Sequence, residues 1–262
     1  MPGLLAPLFL VAVATAQSAS GETDKSASAK EPAMSVPPGV VFLIDGVGGL
    51  GFSPRVMEKV LTEAGVAHEL RIFVWSHGFG KWHADLTDDA NFRAKASELA
   101  DSIMEFRTQS PRAPVFVVAK SGGTAVALAA LAQLPAETVD RCILLSSAVS
   151  PDYDLLPALC AVRTELVSFW SPRDKLVLGF GTTIFGTADG VSGHSAGLVG
   201  FRLPESPDDE AASQHRKLRQ VEWEPSMRKT MNFGTHIGTS MPQFVRVYVA
   251  PLLGAPTDPA TP

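Results

Sequence analysis

Five consecutive apolar positions, Val40-Val41-Phe42-Leu43-Ile44, break off at Asp45 and a cluster of glycines. A continuous β-branched run of this length, bounded by turn residues, predicts a strand buried on both faces. Similar runs recur at Leu70–Trp75, Val115–Val118, Cys142–Leu145 and Glu165–Trp170, with a shorter one at Val221–Trp223. Between them the pattern changes to helical spacing. Ser53-Pro54 supplies an N-cap and a first-turn proline for a helix ending near Ala64-Gly65. Phe92, Ala96, Leu99, Ala100, Ile103 and Phe106 mark one face of a helix from Asp89 to Arg107. Further helices are expected from Thr124 to Leu134, over Tyr153–Leu159, and over Pro242–Leu253. Strands alternating with helices imply an α/β fold: a mostly parallel sheet of about five to six strands, covered by helices on both faces. Functional groups in such sheets gather beyond the carboxyl ends of the strands.

One strand end stands out. Val115–Ala119 runs into Lys120-Ser121-Gly122-Gly123, and an Ala/Leu-rich stretch follows at once. Strand, tight turn carrying serine, then helix is the local grammar of a nucleophile elbow. The turn brings two chain segments close together, so small residues are needed two places either side of the serine. Ala119 and Gly123 fill those places, giving A-x-S-x-G instead of G-x-S-x-G. The alternative is that Ser121 only caps the helix.

A serine nucleophile needs a base, and the base needs an acid to orient it. Asp174 lies four residues beyond Trp170 in a Pro-bearing loop and is the favoured acid; Asp154 is second, and an ion pair with Arg173 or Lys175 is the non-catalytic reading of Asp174. His236, in Gly234-Thr235-His236 before the last helix, is favoured as base over His194, which lies in a Gly-rich insertion. His215 sits in a charged run and reads as solvated. The oxyanion hole requires two backbone N–H groups. Gly122 supplies one at the start of the elbow helix, and Val47, in the glycine loop after the first strand, the other.

That loop also spells G-x-G-x-x-G, the dinucleotide fingerprint. However, Ser53-Pro54 restarts the helix after the third glycine, and the next strand ends Val74-Trp75-Ser76 without an acid to hold a ribose. No cofactor is therefore expected. His77 and His83 are six apart in a loop and carry no recognisable metal pattern; neither C-x-x-C nor H-E-x-x-H occurs, so no metal is expected. Trp75 and Trp82 are candidates to wall an acyl pocket.

Composition narrows the class. The 262 residues are 45% hydrophobic and 19% charged, enough for one sizeable core, and the net charge of −5 without a basic stripe argues against nucleic acid. Leu4–Val13 is a short apolar run before Ala14-Thr15-Ala16, which reads as a signal peptide over 1–16 and export to the periplasm or beyond. The run is too short to span a bilayer, so no membrane span is expected in the mature chain. A Ser/Ala/Glu/Lys/Pro-rich linker is expected over 17–39 and a disordered tail over 254–262, leaving one domain over 40–253. Residues 176–201 hold seven glycines among bulky apolar residues and form either a lid or a packed loop. Cys142 and Cys160 are expected as two buried thiols rather than a disulfide.

On the Asp45–Gly49 loop, the Ala119–Gly123 elbow, Ser147–Leu155, Ser171–Asp174, Phe185–Gly190 and Gly234–His236, the chain resembles the α/β-hydrolase superfamily, esterase- and lipase-like, and in particular a bacterial group of exported or membrane-associated hydrolase-like proteins. The resemblance runs from about Val40 to Leu253 and implies a sheet lacking the first two strands of the full fold. It implies Ser121 as nucleophile, Asp174 as acid, His236 as base, and a small-molecule ester or lipid as substrate. Lys120 departs from the His or Glu that many relatives carry there. A binding protein on a hydrolase scaffold is the competing class.

Overall fold

Alternation inside the apolar runs decides which face each side chain serves, because successive residues of a strand point to opposite sides of a sheet. Val40, Phe42 and Ile44 enter one core cluster, and Val41 and Leu43 the other. Val115, Val117 and Ala119 join the first, and Phe116 and Val118 the second. Both faces are thus apolar, and helices cover both. Each fully buried Val, Leu or Ile stabilises the fold by roughly 1.5–3 kcal/mol.

The computed structural model describes residues 38–48, 52–174 and 194–254. Among them are six strands: β1 (Val40–Ile44), β2 (Glu69–Phe73), β3 (Val115–Lys120), β4 (Val139–Leu145), β5 (Val162–Trp170) and β6 (Leu218–Glu222). Their order is β2-β1-β3-β4-β5-β6, and every pair is parallel. On one face lie α3 (Asp89–Gln109), α4 (Gly123–Leu131) and α5 (Leu156–Ala161); on the other lie α1 (Phe52–Glu63) and the closing helix. α4 is buried on almost every side, so its alanines matter: they let α3 and α5 approach closely.

Departures from expectation fall where polar residues enter an element. β4 and β5 begin three residues earlier than their apolar runs, at Val139 and Val162. There Asp140 pairs with Arg107 at 3.1 Å and Arg163 at 2.9 Å, and Arg107 also donates to the Thr138 and Ala113 carbonyls at 2.5 and 2.7 Å. This charged belt closes the amino-terminal edge of the sheet. A short helix, α2 (Trp82–Thr87), stands where a loop was expected. His215 ends another helix, Asp209–His215, and is half-buried rather than solvated. The closing helix is not regular: Pro242–Phe244 is α-helical, Val245–Val249 a π-helix and Ala250–Leu253 a 3-10 turn.

The expected signal peptide and most of the linker and tail lie outside the described residues. Gly39 is already held in the domain: its N–H donates to His68 Nδ1 at 2.9 Å and its carbonyl accepts from Glu69. Of the Gly-rich segment, residues 194–201 are described and include buried Ala196, Gly197, Leu198 and Phe201; the remainder of the expected lid, 176–193, lies outside. Both cysteines are free thiols, Cys142 buried and Cys160 only half-buried. No helix among the described residues is long and apolar enough to cross a membrane.

Candidate active site

The apolar run of β3 ends at Ser121, whose φ is +49°. A non-glycine residue in this region is strained, and strain of this kind persists only where its surroundings hold it. Here they do. Ser121 N–H donates to Leu145 O at 3.0 Å, tying the turn to β4. The buried Thr124 hydroxyl donates to Ser121 O at 2.6 Å and accepts from Ala148 N at 3.2 Å. Gly123 has no room for a side chain, because a Cβ there would stand 2.2 Å from Asp45 O. A Cβ on Gly46 would stand 3.1 Å from Ser121 Cβ. The glycine loop after β1 therefore lies directly against the serine.

The residues expected as acid and base lie beyond the later strands. After β5, Arg173 and Asp174 donate their N–H groups to Ser171, which turns the chain back over the sheet edge. Asp174 is 1% exposed, and its Oδ2 accepts from His236 Nδ1 at 2.9 Å. An ionised carboxylate only accepts, so this contact places the proton on Nδ1 and leaves Nε2 free to receive one. The His236 side chain keeps 18% of its exposure. Its loop is fixed from below: Asn232 accepts from Gly234 N–H through its side chain and from the Trp223 indole through its carbonyl, at 2.9 and 3.0 Å. Arg173 makes no ion pair with Asp174; its guanidinium covers the Trp223 ring 4.9 Å away. Lys175 lies outside the described residues.

Lys120, the residue before the serine, turns inward. Its buried ammonium donates to His236 O at 2.6 Å and to Thr239 Oγ1 at 3.4 Å. One side chain thus joins the strand carrying Ser121 to the loop carrying His236, across 116 residues of sequence. Burial lowers its pKa to about 8, against the opposing influence of the Asp174 and Asp45 charges.

The expected oxyanion donors, the amides of Val47 and Gly122, belong to the two turns that meet at Ser121. Val47 follows Gly46, which touches Ser121. Gly122 is the N-cap of α4, where unsatisfied amides carry the positive end of the helix dipole.

The second choices lie elsewhere. Asp154 accepts from Leu156 N–H ahead of α5, and His194 is exposed. Trp75 is not an open pocket wall: it is 2% exposed, and its indole N–H donates to Asp45 O at 2.8 Å. Trp82 is 47% exposed. Asp85 was not singled out by its sequence, yet it accepts from Gly48 N–H at 2.7 Å and from His77 at two atoms. His77 and His83 belong to no cluster that could hold a metal among the described residues.

No protein-family model matches the chain, and no curated protein matches it in sequence. Solved structures do. Aspergillus fumigatus lipase B is 15% identical, with a TM-score of 0.50 over 85% of this chain and 54% of that one. A lipase-esterase related protein from Clostridium acetobutylicum is 11% identical, with a TM-score of 0.48 over 83% and 93%. A cutinase-like protein from Cryptococcus sp. is 15% identical, with a TM-score of 0.44 over 80% and 90%. At such identities the likeness concerns architecture alone. With its all-parallel six-strand sheet and helices on both faces, the chain has the α/β-hydrolase fold.

Proposed function

We propose that the protein is a serine hydrolase that cleaves carboxylic esters through an acyl-enzyme. The observation that carries this reading is the 2.9 Å contact between His236 Nδ1 and the buried Asp174, on a loop that Lys120 ties to the strand end bearing the strained Ser121. Helix capping by Ser121 would require neither the pair nor the strain.

In this mechanism Ser121 Oγ attacks the ester carbonyl carbon while His236 Nε2 takes the hydroxyl proton. Asp174 holds the ring in the required tautomer and stabilises the imidazolium. The Val47 and Gly122 N–H groups stabilise the tetrahedral oxyanion, each by about 3 kcal/mol. The carbon–oxygen bond to the alcohol then breaks, and His236 returns the proton to the leaving alkoxide. Water repeats the sequence on the acyl-enzyme, releasing the carboxylic acid and restoring Ser121.

The lipase among the fold neighbours is a reason to begin with esters, although a fold does not carry an activity. The test is hydrolysis of nitrophenyl esters of short to long acyl chain by the protein and by Ser121→Ala, with labelling by a fluorophosphonate probe. Turnover and labelling that both vanish in the variant establish a serine esterase. Absence of both in the wild-type chain refutes the proposal and favours a binding role on this scaffold.

A further inference from the structure

The oxyanion role given to Val47 depends on a loop of glycines, and glycine loops are mobile unless held. At its start the loop is held by Trp75, whose indole donates to Asp45 O. At Gly48 it is held by a carboxylate. Asp85 Oδ2 accepts from Gly48 N–H at 2.7 Å. Oδ1 accepts from His77 N–H at 2.6 Å and contacts His77 Nδ1 at 3.0 Å. The His77 ring continues to Asp88, 3.2 Å from its Nε2, and Asp88 in turn caps α3 by accepting from Asn91 N–H at 2.9 Å. The oxyanion loop is thereby fastened to the first turn of α3.

Asp85 is an expensive way to fill this place. Its side chain is fully buried inside a six-residue helix, where it caps nothing. A buried carboxylate is costly unless fully hydrogen-bonded, and an apolar residue would stabilise α2 better. What only a carboxylate supplies here is acceptance from three donors on two separate loops. The His77 contact fits: Asp85, and less strongly Asp88, raise the His77 pKa above its ordinary value.

We propose that Asp85, braced by His77, is a positioning residue for the oxyanion hole, holding the Val47 amide in place through Gly48. The inference rests on the esterase reading above. It predicts an effect on the transition state and little on ground-state binding. Asp85→Asn turns an amide N–H toward one of the donors and releases Gly48. Outright removal of an oxyanion donor costs about 10²–10³ in kcat; displacement of one of two is expected to cost about tenfold or more.

The experiment measures kcat and KM on a nitrophenyl ester, and the inhibition constant of an alkyl boronic acid, whose tetrahedral serine adduct places an oxygen in the hole. For Asp85→Asn, kcat falls and the boronate constant rises in similar ratio, with KM changed less than about twofold. His77→Phe keeps the ring's bulk, removes the brace, and shows the same pattern severalfold weaker. If Asp85→Asn does not fold, His77→Phe decides. Unchanged kcat and boronate affinity in the folded variants overturn the proposal, as does a fall in activity carried by KM alone. A wild-type chain that neither turns over esters nor binds the boronate instead overturns the esterase reading on which it rests.

Discussion

Lys120 gives a prediction that does not depend on any substrate. Its folded-state pKa is about 8, against 10.5 for an ordinary lysine, and burial is the leading cause. Between those values the unfolded chain binds a proton that the folded chain does not. The free energy of unfolding therefore rises with pH across that window. Below about pH 8 both states are protonated, and the whole cost of burying the charge is present. Above 10.5 neither is, and the cost is gone. At about 1.4 kcal/mol for each pH unit, the interval is worth about 3 kcal/mol.

The perturbation is Lys120→Met, close in size and without charge. At pH 7 two changes oppose each other. The buried charge disappears, a gain of up to about 3 kcal/mol. His236 O and Thr239 Oγ1 lose their donor, a loss of about 1–3 kcal/mol. Stability at one pH thus decides nothing, and the pH slope decides. Guanidinium unfolding of both proteins at half-unit steps from pH 7 to 10 is the assay. Groups that titrate in both proteins cancel in the difference. The wild type is expected to gain on the variant by about 2–3 kcal/mol over the range, most of it above pH 8. A difference that stays flat would refute the buried charge, and one that grows in the variant's favour would refute the sign.

Asp174→Asn should lower kcat on any ester substrate by about 10³–10⁴ with little change in KM, since an amide favours the wrong tautomer of His236; steady-state kinetics read this directly. Gly123→Ala should destabilise by at least about 1–3 kcal/mol in a denaturant titration and lower kcat, because its Cβ would stand 2.2 Å from Asp45 O and displace the loop before Val47. Asp140→Asn weakens the contacts to Arg107 and Arg163 at the opposite end of the sheet; a loss of about 2 kcal/mol by thermal unfolding, with kcat unchanged, is expected. Burial pushes the Cys142 thiol up, so in the native protein a thiol reagent should reach the half-buried Cys160 first and Cys142 only on unfolding.

What the sequence revealed, and what it hid, follows from whether an interaction is local. β1 was legible residue for residue, since a strand covered on both faces needs an unbroken apolar run. So was the elbow, where strand, strained turn and helix are neighbours in the chain. The contact of Asp174 with His236 was legible at one remove: both lie in loops beyond the carboxyl ends of late strands, which the sheet order puts side by side. Where burial did not set the pattern, the sequence said less. The helix at Asp209–His215 has a single buried residue, Ala211, and so no apolar stripe; its only local mark is Asp208, which caps it by accepting from Ala211 N–H. β6 is an edge strand of mixed polarity, and its range was shifted accordingly.

Lys120 and Asp85 belong to a different class. Each is a charged residue whose partners lie far along the chain, 116 residues away for His236 and 37 for Gly48. For Asp85 no local window distinguishes a buried ion from a solvated one. Lys120 did carry one signal, a charge terminating a run in which every other residue is apolar. A lysine in that place must either leave the sheet toward solvent or find acceptors inside it. Here it lies within a strand buried along its whole length, and the acceptors are the His236 carbonyl and the Thr239 hydroxyl of the loop before the closing helix. A charge that breaks an otherwise unbroken buried strand is therefore worth treating as half of a long-range contact, with the other half sought among the loops at that strand's carboxyl end.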